Sequence, residues 1–397
     1  MNGRGVNPVF AAQGTTIFTV MSALANAHGA VNLGQGFPDE DGPSAVREEA
    51  VRVLREGPNQ YPPMIGLPAL RKAIAAYSRR FYDLAFDPEV EVLVTSGATE
   101  ALTASLMALA APGDEAVLIE PAYDSYRPVL EAGGATVKAV RLEPPHFRLE
   151  ESALARAFSA RTKLIVVNSP LNPVGRVFDR SELELLASFV RRFDTYAVCD
   201  EVYEHLAFDG SEHIPLMSLP GMRERCVRIG SAGKIFSLTG WKVGWVEGPA
   251  PLVSVIAKAH QFLTFTTPPA LQLGVAYGLE HEMDFTLKLS RSLQAKRDLL
   301  GHALAGLGFD VLPSQGTYFL TAGTAKLTNE PDRAFCERLT RDAGVAAIPL
   351  SAFYNEDAPR HLLRFAICKK REVLEEAAKR LGSYFTAEQR KIRSEAR

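Results

Sequence analysis

Short apolar runs alternate with helical patterns from about residue 90 to residue 250, and this alternation restricts the possible folds most strongly. The runs EVLV, EAVLIE, KLIVV and TYAVC are separated by segments such as ATEALTASLMALA and SELELLASFVRRF, in which apolar residues recur at helical spacing. Runs such as LIVV and VLIE are apolar on both faces, which is typical of strands covered by helices on each side. The pattern therefore predicts an α/β fold with a mainly parallel sheet sandwiched by helices.

The pattern changes after about residue 250, where a long helical stretch runs from about Glu280 to Leu307 and mixed strand and helix patterns follow. This part of the chain predicts a smaller α+β domain. We therefore expect an N-terminal arm with part of the small domain at 1–45, a large domain at 46–285 and a C-terminal small domain at 286–397. A length of 397 residues agrees with more than one core.

Composition and charge argue against several classes of function. The formal net charge of -2 gives no electrostatic support to nucleic-acid or membrane-surface binding. The N-terminal stretch TTIFTVMSALANAHGA is a weak match to a signal peptide, and a short amphipathic helix capped by Thr15 or Thr16 is the preferred interpretation. No apolar run suggests a membrane span. The four cysteines lack CxxC spacing, which predicts reduced thiols, no metal site and a cytoplasmic location.

Polar residues follow the apolar runs at the positions where the strands are expected to end. Ligands of open α/β sheets bind at the carboxyl ends of the strands, so we expect these polar side chains to meet at one edge of the sheet. They are residues 95–99 after EVLV, Asn168 and Asn172 after LIVV, Asp200, Glu201 and Tyr203 after YAVC, and Ser231 and Lys234 after VRIG.

These groups suit three chemical tasks. SGATEA begins a helix whose free N–H groups favour an anion, and Thr99, Ser231 and Lys242 add donors, which predicts a phosphate site. Asp200 at a strand end needs a cationic partner, such as a protonated ring nitrogen. Lys234 lies among small residues and can approach a carbonyl to form an imine. A phosphate, a cationic ring nitrogen and an aldehyde together describe pyridoxal 5'-phosphate.

Several motifs also resemble a known family. SAGKIFSLTGWKVGW is similar to the pyridoxal-lysine signature of the fold-type I, class I and II aminotransferases, and NSPLNPVG and CDEVYEHL are similar to their asparagine and aspartate motifs. VNLGQGFPDEDGP, NQYPPMIGLPALRKAI, EPAYDSY, GTYFL and HLLRFAICK resemble the branch of kynurenine, glutamine and methionine aminotransferases and related bacterial enzymes assigned to N-succinyl-diaminopimelate. The resemblance covers nearly the whole chain and implies a seven-stranded sheet.

The sequence departs from the common family pattern at two positions. Val174 stands where threonine is more usual, and Lys242 stands where arginine is more frequent. Lysine at the second position also occurs in the kynurenine branch, which agrees with that placement. A lysine holds phosphate as a point charge instead of a planar fork.

The resemblance implies roles around the cofactor ring. Lys234 holds the cofactor covalently and moves the proton during catalysis. Asp200 pairs with the ring nitrogen. Asn172 and Tyr203 contact the ring's phenolate oxygen, and Tyr123 stacks on the ring face.

The resemblance also implies contacts to the cofactor phosphate and to the substrate. The phosphate is bound by four residues, namely Ala98, Thr99, Ser231 and Lys242. Tyr61 reaches the phosphate of the neighbouring subunit, which implies a homodimer with shared active sites. Arg364 grips the substrate carboxylate, with Gly36 and Asn172 beside it.

Several functions are compatible with these residues. The first is transfer of the amino group of a neutral, aromatic or sulfur-containing L-amino acid, such as kynurenine, methionine or glutamine, to a 2-oxo acid by a ping-pong route. The second is the same chemistry on N-succinyl-diaminopimelate, and the third is β-lysis of a cysteine S-conjugate. A regulatory domain of this type is disfavoured, because the chain has no basic DNA-binding region.

Overall fold

A computed structural model of the chain describes residues 5–395, with side chains described as far as residue 387. The helices, in chain order, are α1 (Pro8–Ala12), α2 (Ile17–Ala27), α3 (Ser44–Glu56), α4 (Pro68–Tyr82), α5 (Gly97–Leu109), α6 (Tyr126–Ala132), α7 (Glu151–Ala157), α8 (Arg180–Arg192), α9 (Ala232–Ile235), α10 (Ala250–Leu263), α11 (Pro269–His281), α12 (Met283–Gly306), α13 (Asp332–Arg338) and α14 (Arg371–Glu395). The strands are β1 (Val31–Asn32), β2 (Val92–Thr95), β3 (Glu115–Glu120), β4 (Thr136–Arg141), β5 (Thr162–Asn168), β6 (Tyr196–Asp200), β7 (Cys226–Ser231), β8 (Gly244–Glu247), β9 (Asp310–Val311), β10 (Phe319–Gly323), β11 (Val345–Ala346), β12 (Ile348–Pro349) and β13 (Leu362–Ala366).

Seven strands form the central sheet, in the order β2-β8-β7-β6-β5-β3-β4. Strand β8 is antiparallel to both of its neighbours, and the remaining pairs are parallel. Every residue of β2, β3 and β7 is buried, as expected for strands covered on both faces. The predicted mainly parallel, seven-stranded α/β sheet is therefore confirmed.

The strands β5, β6 and β7 end side by side at one edge of this sheet. Asn168 is paired with Asp200 at the ends of β5 and β6, and β7 ends at Ser231. Ser231 is in register with Gly244 of β8, which also pairs with Thr95 of β2. Because all these residues occupy the same edge, the loops that follow the strands converge there.

Helix α8 shows how local sequence sets an element of this fold. The Asp179 carboxylate accepts the N–H of Glu182 at 3.0 Å, and the Glu182 carboxylate accepts the N–H of Asp179 at 3.0 Å, which completes a capping box. Leu183, Leu186 and Val190 recur at helical spacing and are buried. The capping residues fix where the helix begins, and the apolar face fixes how it packs.

A second sheet lies in the C-terminal part of the chain. It has four antiparallel strands in the order β12-β13-β10-β9, and helices α12 and α14 pack against each other beside it. The short parallel pair of β1 and β11 ties the N-terminal segment to this part. The mixed architecture agrees with the predicted α+β character.

The N-terminal residues form two helices. Thr16 caps α2, and its hydroxyl accepts the N–H of Thr19 at 3.3 Å, which confirms the predicted cap. By length and composition alone, Pro8–Ala27 is apolar enough to cross a membrane, and the part of the chain that is described has no other such segment. The apolar runs did not suggest this span. However, α1 ends before Gln13 and the backbone is extended at Thr16, so the segment is not one continuous helix.

Candidate active site

One pocket of about 340 Å³ lies where the central strands end. All of the predicted site residues except Tyr61 line it, namely Gly36, Ala98, Thr99, Tyr123, Asn172, Asp200, Tyr203, Ser231, Lys234, Lys242 and Arg364. The structure thus brings together residues from nearly the whole length of the chain. Tyr61 lies apart from them and is 84% exposed.

Lys234 lies in the short helix α9, directly after β7, and its side chain faces two aromatic rings. The Lys234 Nζ atom is 5.6 Å from the centre of the Tyr203 ring and 5.3 Å from that of Tyr318. The Tyr318 hydroxyl also donates to the Lys234 carbonyl oxygen at 3.2 Å. Burial lowers the pKa of the Lys234 amine, so the neutral, basic form is more accessible than for a lysine in water.

Asp200 is buried at the end of β6 with few donors around it. Its Oδ2 atom accepts the Tyr126 hydroxyl at 2.5 Å, and its Oδ1 atom accepts the N–H of Val202 at 3.4 Å. Burial raises the pKa of Asp200 to about 6, and the Tyr126 hydrogen bond opposes this rise. A buried carboxylate of this kind is stabilised by a cation, so the site is suited to a protonated ring nitrogen.

The N-terminus of α5 and the Lys242 ammonium face the same region. A Cβ atom added to Gly97, the first residue of α5, would lie 3.3 Å from Lys242 Nζ. Lys242 itself has a φ of 53°, which is uncommon for a residue other than glycine. Free N–H groups at a helix start and an adjacent ammonium form a site for an anion such as phosphate.

The guanidinium of Arg364 is buried, and one of its N–H groups makes no hydrogen bond within the described residues. Its Nη1 atom donates to Asn172 Oδ1 at 3.1 Å, and its Nη2 atom donates to the Gly34 carbonyl oxygen at 2.8 Å. Its Nε atom has no hydrogen-bond partner among the residues that the structure describes. Burial lowers the pKa of Arg364 to about 10, which still leaves the guanidinium charged at neutral pH. A substrate carboxylate would satisfy both the charge and the unused donor.

Aromatic side chains surround this guanidinium. Its Cζ atom is 3.8 Å from the centre of the Phe319 ring, 4.9 Å from that of Phe353 and 5.1 Å from that of Phe18. Phe18, Phe37 and Phe319 line the pocket, so one wall is apolar. The rings hold the guanidinium plane in one orientation, and they leave little polar surface on this wall of the pocket.

A comparison with known protein families agrees with this geometry. Residues 29–381 match the family model described as "Aminotransferase class I and II". The chain belongs to the class I and II aminotransferases. The predicted family is therefore confirmed, and so is its cofactor: this aminotransferase depends on pyridoxal 5'-phosphate and uses amino acids and 2-oxo acids as small-molecule substrates.

Three relatives show which branch the aminotransferase is similar to. It is 46% identical over 379 residues to a probable N-succinyldiaminopimelate aminotransferase of Mycobacterium tuberculosis, a match that covers 93% of this chain and 96% of the relative. It is 36% identical over 403 residues to a kynurenine–oxoglutarate transaminase of Dictyostelium discoideum, covering 92% and 93%. A crystal structure of an Escherichia coli protein identified as a methionine aminotransferase has a TM-score of 0.92 at 41% identity, covering 96% of this chain and 99% of that one. These matches confirm the predicted branch and fold type.

The hydrogen bonds of two tyrosines in the aminotransferase's site were not predicted from the sequence. Tyr126 follows Tyr123 by three residues in EPAYDSY, and its hydroxyl donates to Asp200. The sequence indicates only that a buried carboxylate such as Asp200 needs a donor, and it does not say which residue provides it. Tyr318, in GTYFL, is buried, and its hydroxyl donates to the Lys234 carbonyl oxygen, a contact that the sequence did not predict. Both contacts join segments that are distant in sequence, so no local pattern shows them.

Proposed function

We propose that the pocket at the ends of β5, β6 and β7 binds pyridoxal 5'-phosphate. The observation that carries this proposal is the buried Asp200 carboxylate, which shares the pocket with the Lys234 amine. The donors fit the cofactor: Asp200 would face its ring nitrogen, and Lys234 would hold it covalently. Its phosphate would lie among four residues, namely Ala98, Thr99, Ser231 and Lys242.

When bound, the cofactor would supply an electron sink that makes the Cα–H bond of an amino acid acidic. The residues of this chain then have separate tasks. The Lys234 amine would accept the proton released from the substrate's Cα atom, and burial favours the neutral amine that this task needs. Asn172 and Tyr203 are proposed to contact the ring's phenolate oxygen, and Tyr123 to stack on its face.

Arg364 is proposed to fix the substrate carboxylate. Its unused Nε–H and its planar shape suit a bidentate pair, and its contacts with Asn172 and Gly34 hold it in place. The Gly36 backbone lies beside it in the same pocket. Fixing the carboxylate orients the Cα–H bond toward the base, which removes much of the entropic barrier to proton transfer.

We propose that the amino donor is neutral, aromatic or sulfur-containing. Within the described residues, three cationic side chains line the pocket, namely Lys234, Lys242 and Arg364, and each has a task with the cofactor or the substrate's α-carboxylate. The apolar wall of Phe18, Phe37 and Phe319 suits an uncharged side chain. The similarity to a probable N-succinyldiaminopimelate aminotransferase supports the alternative donor, which would need a further cation for its distal carboxylates.

A panel of amino donors tests this substrate class. We expect kcat/KM for methionine, phenylalanine, kynurenine or glutamine to exceed that for N-succinyl-diaminopimelate by about tenfold or more, since unpaired carboxylates are costly to bury. The reverse order would favour the alternative donor. Pyruvate and ammonia released from a cysteine S-conjugate without an oxo acid would favour the β-lyase. If no amino-group transfer is detected with any donor and acceptor, the proposed activity is contradicted.

The assembly is proposed to be a homodimer with shared active sites. Tyr61 is 84% exposed and Phe262 is 86% exposed, and the Tyr61 ring contacts that of Phe265 at a centre-to-centre distance of 5.7 Å. Exposed aromatic side chains of this kind are frequent in protein interfaces. In such a dimer Tyr61 would reach the neighbour's phosphate, as the family resemblance implies.

The division into 1–45, 46–285 and 286–397 and the cytoplasmic location are proposals as well. The two larger sheets fall within the second and third ranges, which supports the division. The four cysteines are free and buried, which agrees with a reducing compartment.

A further inference from the structure

A buried histidine connects the N-terminus of α5 with the chain segment that carries Tyr61. His260 belongs to α10 and is 0% exposed. Its Nδ1 atom lies 2.8 Å from Glu100 Oε1, and its Nε2 atom lies 3.0 Å from the Met64 carbonyl oxygen. The Thr264 hydroxyl is a more distant neighbour, 3.4 Å from Nδ1. The histidine thus bridges a side chain of α5 and the loop before α4.

The two short contacts determine the charge of the ring. A carbonyl oxygen only accepts hydrogen bonds, so Nε2 must carry a proton. An ionised carboxylate also only accepts, so Nδ1 must carry one too, and His260 is then an imidazolium. The second oxygen of Glu100 accepts the N–H of Ser96 at 2.8 Å, which favours the ionised carboxylate. Burial lowers the pKa of His260, but the hydrogen bond and charge of Glu100 outweigh it, and the net direction is upward.

The pair of His260 and Glu100 affects the proposed phosphate site in two ways, through the charge of Glu100 and through its hydrogen bond to Ser96. Glu100 lies in the first turn of α5, the turn that also presents Ala98 and Thr99 to the pocket. An uncompensated carboxylate there would repel a bound phosphate, and the imidazolium neutralises it. Glu100 also holds the N–H of Ser96, the residue that precedes the helix, and so shapes the turn that an anion meets.

We propose that His260 and Glu100 are positioning residues for the cofactor phosphate: the imidazolium neutralises and holds Glu100, and Glu100 holds the turn at the start of α5. The inference rests on the proposed function, since it assumes that the phosphate binds at this turn. Through Met64, the same pair fixes the loop that continues from Tyr61.

The affinities of the cofactor-free protein for pyridoxal 5'-phosphate and for pyridoxal test this role. In His260→Gln the Glu100 charge is left unbalanced, and we expect the Kd for the phosphorylated cofactor to rise about tenfold while that for pyridoxal changes less than about twofold. In Glu100→Gln a neutral histidine accepts from the new amide, so both Kd values should stay within about threefold. The double variant should resemble Glu100→Gln.

Several results would overturn the proposal. One is an equal loss of affinity for pyridoxal, which would mean general damage to the site. Others are an unchanged Kd in His260→Gln and additive losses in the double variant. If the wild-type protein binds neither ligand, the proposed function itself fails, which separates the two claims.

Nitrogen NMR of histidine-labelled protein gives a second test that does not depend on cofactor binding. We expect an imidazolium signal that persists above neutral pH, that is absent from His260→Gln and that becomes neutral in Glu100→Gln. His205 is an internal reference, because burial lowers its pKa and its ring should be neutral. A neutral His260 at pH 7 would place the proton on Glu100 and contradict the ion pair.

Discussion

Asp200 and Lys234 show how burial acts on single side chains of opposite charge. Burial raises the pKa of Asp200 to about 6 and lowers that of Lys234, so both shifts favour the neutral form. A neutral amine is what a base needs, whereas a neutral carboxyl is a poor partner for a ring nitrogen. A cation placed opposite Asp200 favours the carboxylate again, so cofactor binding and ionisation of Asp200 support each other.

The cofactor-free protein should become less stable as Asp200 ionises. Its pKa rises from 3.8 to about 6 on folding, so the stability that this group contributes is fully present below about pH 4 and is lost as pH rises through 6. A shift of this size corresponds to about 3 kcal/mol. Urea unfolding of wild type and Asp200→Asn, from pH 4 to pH 7, should show wild type losing roughly that amount relative to the variant. A constant difference between them would contradict the buried carboxyl.

The residues that could be predicted are those that follow strands. Asp200 and Lys234 follow apolar runs in the sequence. Because the strands of a parallel sheet end at the same edge, the two side chains are expected to lie close together. Tyr126 was missed because its hydrogen bond to Asp200 depends on where α6 lies, and no local pattern states this. The functional residues at strand ends can thus be predicted from the sequence, whereas their hydrogen-bond partners cannot.

At the scale of elements, the segment before α3 is packed tightly on the second sheet. A Cβ atom added to Gly36 would lie 2.4 Å from Cζ of Phe319, the first residue of β10. The Phe319 ring in turn lies 3.8 Å from Arg364 Cζ on the neighbouring strand β13. The absence of a side chain at Gly36 therefore lets this segment approach the ring that supports the guanidinium.

Gly36→Ala should weaken substrate binding through this contact. The added methyl displaces Phe319 and with it the support of Arg364, so we expect KM for the amino donor to rise about tenfold, with less than about a threefold change in kcat. Gly306→Ala is the control, because a Cβ atom there meets nothing within 4 Å. Steady-state kinetics of the three proteins checks this, and an unchanged KM in Gly36→Ala would contradict the packing argument.

Helices with a one-sided apolar face were predictable, whereas a helix that is buried on several faces was not. Helices α8 and α12 match the predicted helical stretches. Helix α11 was not predicted, since its buried residues surround much of the helix and leave no clear period. The antiparallel direction of β8 depends on its pairing with β2 and β7, which sequence alone does not state.

On the scale of the whole molecule, the site draws on both larger sheets. Asp200 and Ser231 end strands of the seven-stranded sheet, while Phe319 and Arg364 belong to the four-stranded one. The residues proposed to bind the cofactor thus come mainly from the first sheet, and those proposed to bind the substrate come partly from the second. The proposed dimer adds the exposed Tyr61 of a second copy, so assembly and activity are expected to be linked.

Phe262→Glu should therefore disrupt both assembly and turnover. A charge on this 86% exposed aromatic position would be buried in the proposed interface, which is costly without a partner. We expect light scattering to show a shift from dimer to monomer, together with at least a tenfold loss of kcat/KM. Val90→Glu, at a position that is 50% exposed, is the control and should change neither. A wild-type monomer, or a fully active monomeric variant, would contradict the shared site.

The proposed function depends on a covalent bond between Lys234 and the cofactor in this pocket. The most direct measurement is borohydride reduction after incubation with pyridoxal 5'-phosphate, followed by peptide mass spectrometry of wild type and Lys234→Ala. We expect one phosphopyridoxyl group on Lys234 in the wild type, and neither this adduct nor appreciable turnover in the variant. An adduct on another lysine, or a Lys234→Ala protein with near-normal activity, would contradict it.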